Sequence, residues 1–340
     1  MKRSNSIDLL RIVAAFFIVC IHTEFFAMQE VNAVARFAVP VFFMISGYFF
    51  IGGKRESQMR SIKKILILVV LTNILFFAYK FALAFLGHNA GQFVANSFSL
   101  RSLFNFLVFN ESPFGLHLWF LSALLYCMII AFFLSKIRLN KVFMIVAIAV
   151  LLIGDLIFGK YSLLIFGREF PVIWVRNFIF VGLPYFYLGS LFKGYTPDKI
   201  KVSSGLLITL IILFALTSVG EKYFLGAINA SATREHYIST TFLAVSVFVL
   251  ALKHPMYNCS GVGRALANAG RKYSLAIYII HPVFRDVIGG IAGKIGGVTE
   301  SLYYFVTPVA VFLCSLIFVM IYYKIKDTAL GRLKGKRYKH

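Results

Sequence analysis

Apolar residues in this chain gather into runs of about 20, the length of α-helix that crosses the roughly 30 Å hydrocarbon core of a bilayer. Ten such runs follow one another, at roughly 7–28, 34–52, 62–86, 117–135, 141–158, 173–192, 203–219, 236–252, 273–291 and 302–323. With 60% of its 340 residues hydrophobic and only 14% charged, the chain has too little polar side-chain surface to coat a water-soluble globule. The expected fold is therefore all-α, an integral membrane protein of about ten transmembrane helices. A soluble enzyme and a disordered chain are excluded on the same ground.

A formal net charge of +22 would suggest nucleic acid on a polar chain. Here it sorts by side instead. With the N-terminus placed inside, 24 of the 35 Lys and Arg fall in inner segments and ten in outer ones. Basic residues accumulate on the cytoplasmic side of membrane proteins, so both termini are expected in the cytoplasm, with the lipid bilayer and not nucleic acid as partner. Acids run the other way: Glu24, Glu111, Asp155, Glu169, Glu235 and Asp286 all lie toward the outer side. The basic inner loop Lys54–Lys64 and the basic tail beyond Lys324 follow from the same rule, although either could also meet anionic head groups or donor phosphates. The longest outer segment, 87–116, mixes aromatic and small polar residues. It suits an interfacial or re-entrant piece, tolerated at depth only where protein or a watery cavity satisfies its backbone.

The first run carries Asp8 and Arg11 and ends without a small-x-small cleavage site, so it reads as a retained span and not as a signal peptide. Cys20, Cys127, Cys259 and Cys314 are scattered with no CxxC pair, which argues against a disulfide framework or a metal site. Ionisable groups inside the spans carry more information, because each is costly in hydrocarbon and tends to face a cavity or a partner. Arg11 and His22 are eleven residues apart. At 100° per residue they return to within about 20° of one helix face, separated by about 16 Å along the axis. Arg11 is then expected on the cytoplasmic side of the midplane and His22 on the outer side, lining one tunnel. The plainer reading is a snorkelling arginine and a histidine bonded to a neighbouring helix.

Three stretches in order carry a family resemblance. Asp8-Leu9-Leu10-Arg11 with His22, Val41-Phe42-Phe43-Met44-Ile45-Ser46-Gly47-Tyr48, and Tyr273-Ser274 followed by Tyr278-Ile279-Ile280-His281-Pro282 together resemble the pattern of acyltransferase family 3. The aromatic Leu118-Trp119-Phe120-Leu121 fits as well. Within the family, Pro40-Val41-Phe42-Phe43-Met44 is similar to the membrane domain of vancomycin-resistance serine racemases. The resemblance implies one membrane acyltransferase domain over 1–330 with a basic cytoplasmic tail over 331–340, in a bacterial plasma membrane. It implies transfer of an acyl group, usually acetyl, from cytoplasmic acyl-CoA to a hydroxyl of an extracytoplasmic or lipid-linked glycan or cell-wall precursor, with no metal.

On that resemblance His22 is the catalytic base and Arg11 the cation facing the donor. An imidazole suits proton removal near neutral pH, and a guanidinium suits phosphates or a carbonyl. His281 has two readings: a structural histidine satisfying the carbonyl that Pro282 frees, or a second polar group orienting substrate or His22. Trp119 reads as an interfacial anchor or as a surface that stacks a sugar, and Ser46 and Gly47 as helix packing. The alternative from another class is a transporter of a small substrate such as serine, with a midplane site between broken helices marked by Pro184, Gly189 and Pro282.

Overall fold

The computed structural model describes residues 4–137, 140–233, 235–295 and 298–337. Among them the chain is helical throughout, with no strand. The helices are α1 (Asn5–Ile21), α2 (Met28–Ala35), α3 (Ala38–Phe50), α4 (Arg55–Leu86), α5 (Ala90–Ser97), α6 (Leu100–Phe109) and α7 (Trp119–Leu134). They continue as α8 (Lys141–Phe158), α9 (Ser162–Phe166), α10 (Leu183–Leu191), α11 (Ser204–Ala227), α12 (Ile238–Lys253), α13 (Gly261–Ile295) and α14 (Val298–Arg337). The basic tail up to residue 337 continues α14, and residues 338–340 lie outside the described residues.

Among the described residues seven stretches are long and apolar enough to cross a membrane: Met28–Phe50, Arg55–Leu86, Leu116–Leu134, Lys141–Phe158, Ser204–Ala227, Gly261–Lys294 and Leu302–Ala329. The other three sequence runs fold as shorter helices. One is α1, at 17 residues; the others are Phe178–Leu191 and Ile238–Lys253. The sixth run, expected from 173, is shortened because it opens with a 3₁₀ turn and a π-helical turn before α10.

The helices pack as two compact units, Met1–Ala38 with His254–His340, and Val39–Lys253. In the first unit α1 lies along α13, and α13 along α14, around a core of Ile12, Val19, Ile277, Val311 and Val319. The closest approach is at Gly270, where a Cβ would fall 1.9 Å from the Asp8 carbonyl oxygen. Only glycine lets two backbones meet at that distance. The start of α1 is tied to the segment before α13 by the Asn5 N–H on the Pro255 carbonyl (2.9 Å) and the Asn5 carboxamide on the Met256 carbonyl (2.7 Å).

The second unit uses the same device twice. A Cβ on Gly47 of α3 would fall 1.7 Å from the Phe186 carbonyl oxygen of α10, and one on Gly189 of α10 would fall 2.0 Å from that of Met44. Ser46 turns its hydroxyl back onto the Phe42 carbonyl at 2.7 Å. The Ser-Gly pair of the second sequence motif is thus a packing element, as its small side chains imply.

Residues 110–118 connect α6 to α7, and their polar side chains Asn110, Ser112 and His117 are at most 6% exposed. These groups are met by protein, the condition on which a non-helical piece survives at membrane depth. The Asn110 carboxamide accepts the Phe178 N–H at 2.9 Å and donates to the Trp119 carbonyl at 3.3 Å, while Ser112 donates to the Asn73 side chain at 2.7 Å. Asn110 also holds φ at +55°, which asparagine tolerates better than most residues. Asn110→Ala therefore leaves the Phe178 N–H without its acceptor, at about 1–3 kcal/mol. A clearly lower thermal midpoint in detergent is expected, and an unchanged one would count against that bond.

Candidate active site

The helix that carries Arg11 and His22 starts at Ser4, whose hydroxyl accepts the Ile7 N–H at 3.4 Å. Asp8 sits in the first turn, where a negative charge suits the helix dipole, and it pairs with Arg11 one turn later, Nη1 to Oδ1 3.0 Å. The Asp8 side chain is 6% exposed and that of Arg11 24%, so the guanidinium is held along α1 by a mostly covered carboxylate. The helix then runs unbroken to Ile21, which keeps the two functional candidates about 16 Å apart along its axis.

His22 is the first residue past the helix, at φ −106° and ψ 5°, its N–H on the Val19 carbonyl at 3.1 Å. Its half-buried ring lies against that of His281, with centroids 5.2 Å apart and planes tilted by 35°. His281 is fully buried on α13. Pro282 has no N–H to give the carbonyl four residues back, that of Tyr278, and His281 Nδ1 supplies the bond at 2.8 Å. A carbonyl only accepts, so Nδ1 carries the hydrogen. The bond to the Tyr278 carbonyl is the structural one of the two readings of His281. The ring satisfies the proline gap, and by doing so it is fixed in orientation beside His22. His281→Ala is expected to lower the thermal midpoint, because the buried bond from Nδ1 to the Tyr278 carbonyl is lost, at a cost of about 1–3 kcal/mol.

Arg11, His22 and His281 belong to the first unit, whereas Trp119 belongs to the second. An indole that anchors at an interface or stacks a sugar keeps a face open. Trp119 is 6% exposed, with its ring centroid 6.2 Å from that of Phe43, and it forms part of the packed interior. In the basic loop Arg55 stacks on Phe132, 4.0 Å from the ring centroid, so that cation is engaged within the second unit.

A family model described as an acyltransferase domain, that of acyltransferase family 3, matches residues 4–322. The chain belongs to acyltransferase family 3. Its long apolar helices are those of a multi-pass membrane protein. A protein of Enterococcus faecalis named amino-acid racemase is 25% identical over 346 residues, an alignment covering 95% of this chain and 46% of that protein. The chain thus spans about half the length of that relative. No solved structure matches it.

Two features of this acyltransferase escape a reading of the sequence. Asp8 as the partner of Arg11 was within reach, since residues three apart share a helix face. The second had no local signal: in the second unit Asp155 and His236, 81 positions apart and each 4% exposed, meet at 2.7 Å. They fasten the segment between α11 and α12. Lys160 donates to the Ala232 carbonyl at 2.8 Å, Arg176 pairs with Glu235 at 3.3 Å, and Glu169 accepts both the N–H and the hydroxyl of Thr233. Glu221 accepts the N–H groups of Ile238 and Ser239 and the hydroxyl of Tyr161. Burial and that carboxylate push the Tyr161 phenol above its ordinary range. Asp155, Glu169 and Glu235, which the charge pattern places toward the outer side, are thus engaged with partners inside the second unit.

Proposed function

We propose that this chain is an O-acyltransferase that moves an acyl group, acetyl in the simplest case, from cytoplasmic acyl-CoA to a hydroxyl of an extracytoplasmic or lipid-linked glycan or cell-wall precursor. It does so as a ten-span protein of a bacterial plasma membrane with both termini in the cytoplasm. The observation that carries the reading is the placement of half-buried His22 beside a buried His281, with ring centroids 5.2 Å apart, whose Nδ1 is held by the Tyr278 carbonyl.

In this mechanism His22 takes the proton of the acceptor hydroxyl as its oxygen attacks the thioester carbonyl. The carbon–sulfur bond breaks, and the CoA thiolate leaves with the proton that His22 returns. Arg11, held by Asp8, meets the phosphates or the carbonyl of the donor. The axial spacing of the two residues then corresponds to a donor that enters from one face and an acceptor from the other. His281 is a positioning residue that limits the orientations open to His22.

The test is transfer of label from acetyl-labelled acetyl-CoA into envelope glycan in vesicles carrying the protein. Label that depends on both donor and protein supports the proposal. Vesicles that take up serine without any acyl donor, and pass no label to glycan, would overturn it in favour of a transporter.

A further inference from the structure

We propose that a cavity in the second unit holds one hydrocarbon chain of a membrane lipid. The cavity encloses about 500 Å³ beside α4, between that helix, the α5–α6 segment and the start of α7. Pockets of about 300–1,000 Å³ are the size that takes a discrete ligand. The α4 wall is a single stripe, Leu66, Val69, Val70, Asn73, Ile74 and Phe77, at the three- and four-residue spacing of one helix face.

Chemistry of the wall selects the ligand. Asn73 spends its carboxamide on the Val69 carbonyl (2.8 Å) and on Ser112 (2.7 Å), and the Tyr126 hydroxyl donates to the Leu107 carbonyl (2.8 Å). The hydroxyl of Ser122, a residue 3% exposed, is the remaining polar side-chain group among the lining residues. One hydroxyl cannot recognise a sugar, a nucleotide or a lipid head group, each of which brings several polar atoms that must be bonded once desolvated. A hydrocarbon chain brings none.

Shape and setting point to the same occupant. From Leu66 to Phe77 the stripe runs about 16 Å along α4, close to half of the roughly 30 Å hydrocarbon core, which is the depth of one leaflet. Phe77, Phe98 and Phe114 gather at one part of the wall as three rings with centroids 5.3–5.8 Å apart. Along the stripe, Leu66, Val70 and Ile74 are 47–59% exposed, so the cavity opens sideways. Next to that opening α4 presents Ile67, Leu71 and Leu75, also exposed and apolar. In a bilayer such a face meets lipid, and the source of the chain is the surrounding leaflet. This inference does not depend on which acyl donor or acceptor the enzyme uses.

The probe is a phospholipid with a diazirine in its acyl chain, mixed into phosphatidylcholine–phosphatidylglycerol vesicles that contain the full chain. After illumination, adducts are mapped by peptide mass spectrometry. Adducts on Phe106, Phe114 and Tyr126, which line the cavity from outside α4, are expected in the wild type. They should be lost in Val70→Trp and Ile74→Trp, which block the opening from exposed positions, and kept in Leu71→Trp, which adds the same ring outside it. Adducts confined to Ile67, Leu71 and Leu75 in the wild type would overturn the proposal without recourse to any variant. Labelling of Phe106, Phe114 and Tyr126 unchanged by both blocking substitutions in correctly folded protein would do so too.

Discussion

Replacing His22 by Ala is expected to remove acyl transfer while the protein stays in the membrane at its wild-type level. General-base catalysis by a positioned imidazole contributes about 10²–10⁴-fold, so the residual rate falls to that extent or below detection. The substitution is mild for the fold. His22 lies one residue beyond α1, and the bond that caps the helix there is its backbone N–H on Val19, which alanine retains. Its ring is half-buried, unlike that of His281, so truncation removes little of the core. The measurement is donor-dependent labelling of glycan, normalised to the amount of protein in the membrane. Wild-type labelling by the variant would refute the catalytic assignment, and the fold and family membership would stand.

The other large effect is expected at Gly270. A side chain there meets the Asp8 carbonyl oxygen at 1.9 Å and its carbon at 2.9 Å, with the Ile12 nitrogen at 3.1 Å. All three are backbone atoms of α1, and no rotamer change can move them aside. Gly270→Val therefore forces α1 and α13 apart along the seam that buries Ile12 and Val19 against Ile277. Overpacking alone costs about 1–3 kcal/mol where side chains can yield, and backbone-on-backbone contact exceeds that, against a total stability of about 5–15 kcal/mol. Little or no monodisperse protein is expected by size-exclusion chromatography in detergent. Gly270→Ala should give a reduced yield with a lowered midpoint. Because Asp8 moves with α1, any Gly270→Ala protein that survives should also transfer acyl groups more slowly.

Helices were legible in the sequence wherever a run was long and uniformly apolar. The runs expected at 117–135 and 141–158 became Trp119–Leu134 and Lys141–Phe158, within two residues at each end. Length and hydropathy are properties of a segment alone, and α-helix is the structure that satisfies a backbone in lipid without outside help. Where the backbone is satisfied from outside, the reading blurred. The run from 173 opened as irregular turns because Asn177 and Asn110 supply acceptors for its first N–H groups. Family motifs placed Arg11, His22 and His281 on a list, but what brought the two imidazoles together was the packing of α1 on α13, which no single segment encodes. The missing N–H of Pro282 was readable, and so was one candidate to replace it; that the same ring would also face His22 was not. Trp119 shows the reverse case, an aromatic residue whose type suggested a surface and which packs instead beside Phe43 at 6% exposure.

The bond from Phe178 to Asn110 has a consequence for how the protein is made. Synthesis runs from the N-terminus, so the stretch 110–118 leaves the ribosome well before residue 178 exists. Until then the Asn110 side-chain oxygen lacks the donor that meets it in the finished protein. An unmet buried carboxamide oxygen costs about 1–3 kcal/mol. The α6–α7 connection therefore gains its full set of partners only after the turn before α10 has been made, and residue 178 is the last of them to arrive.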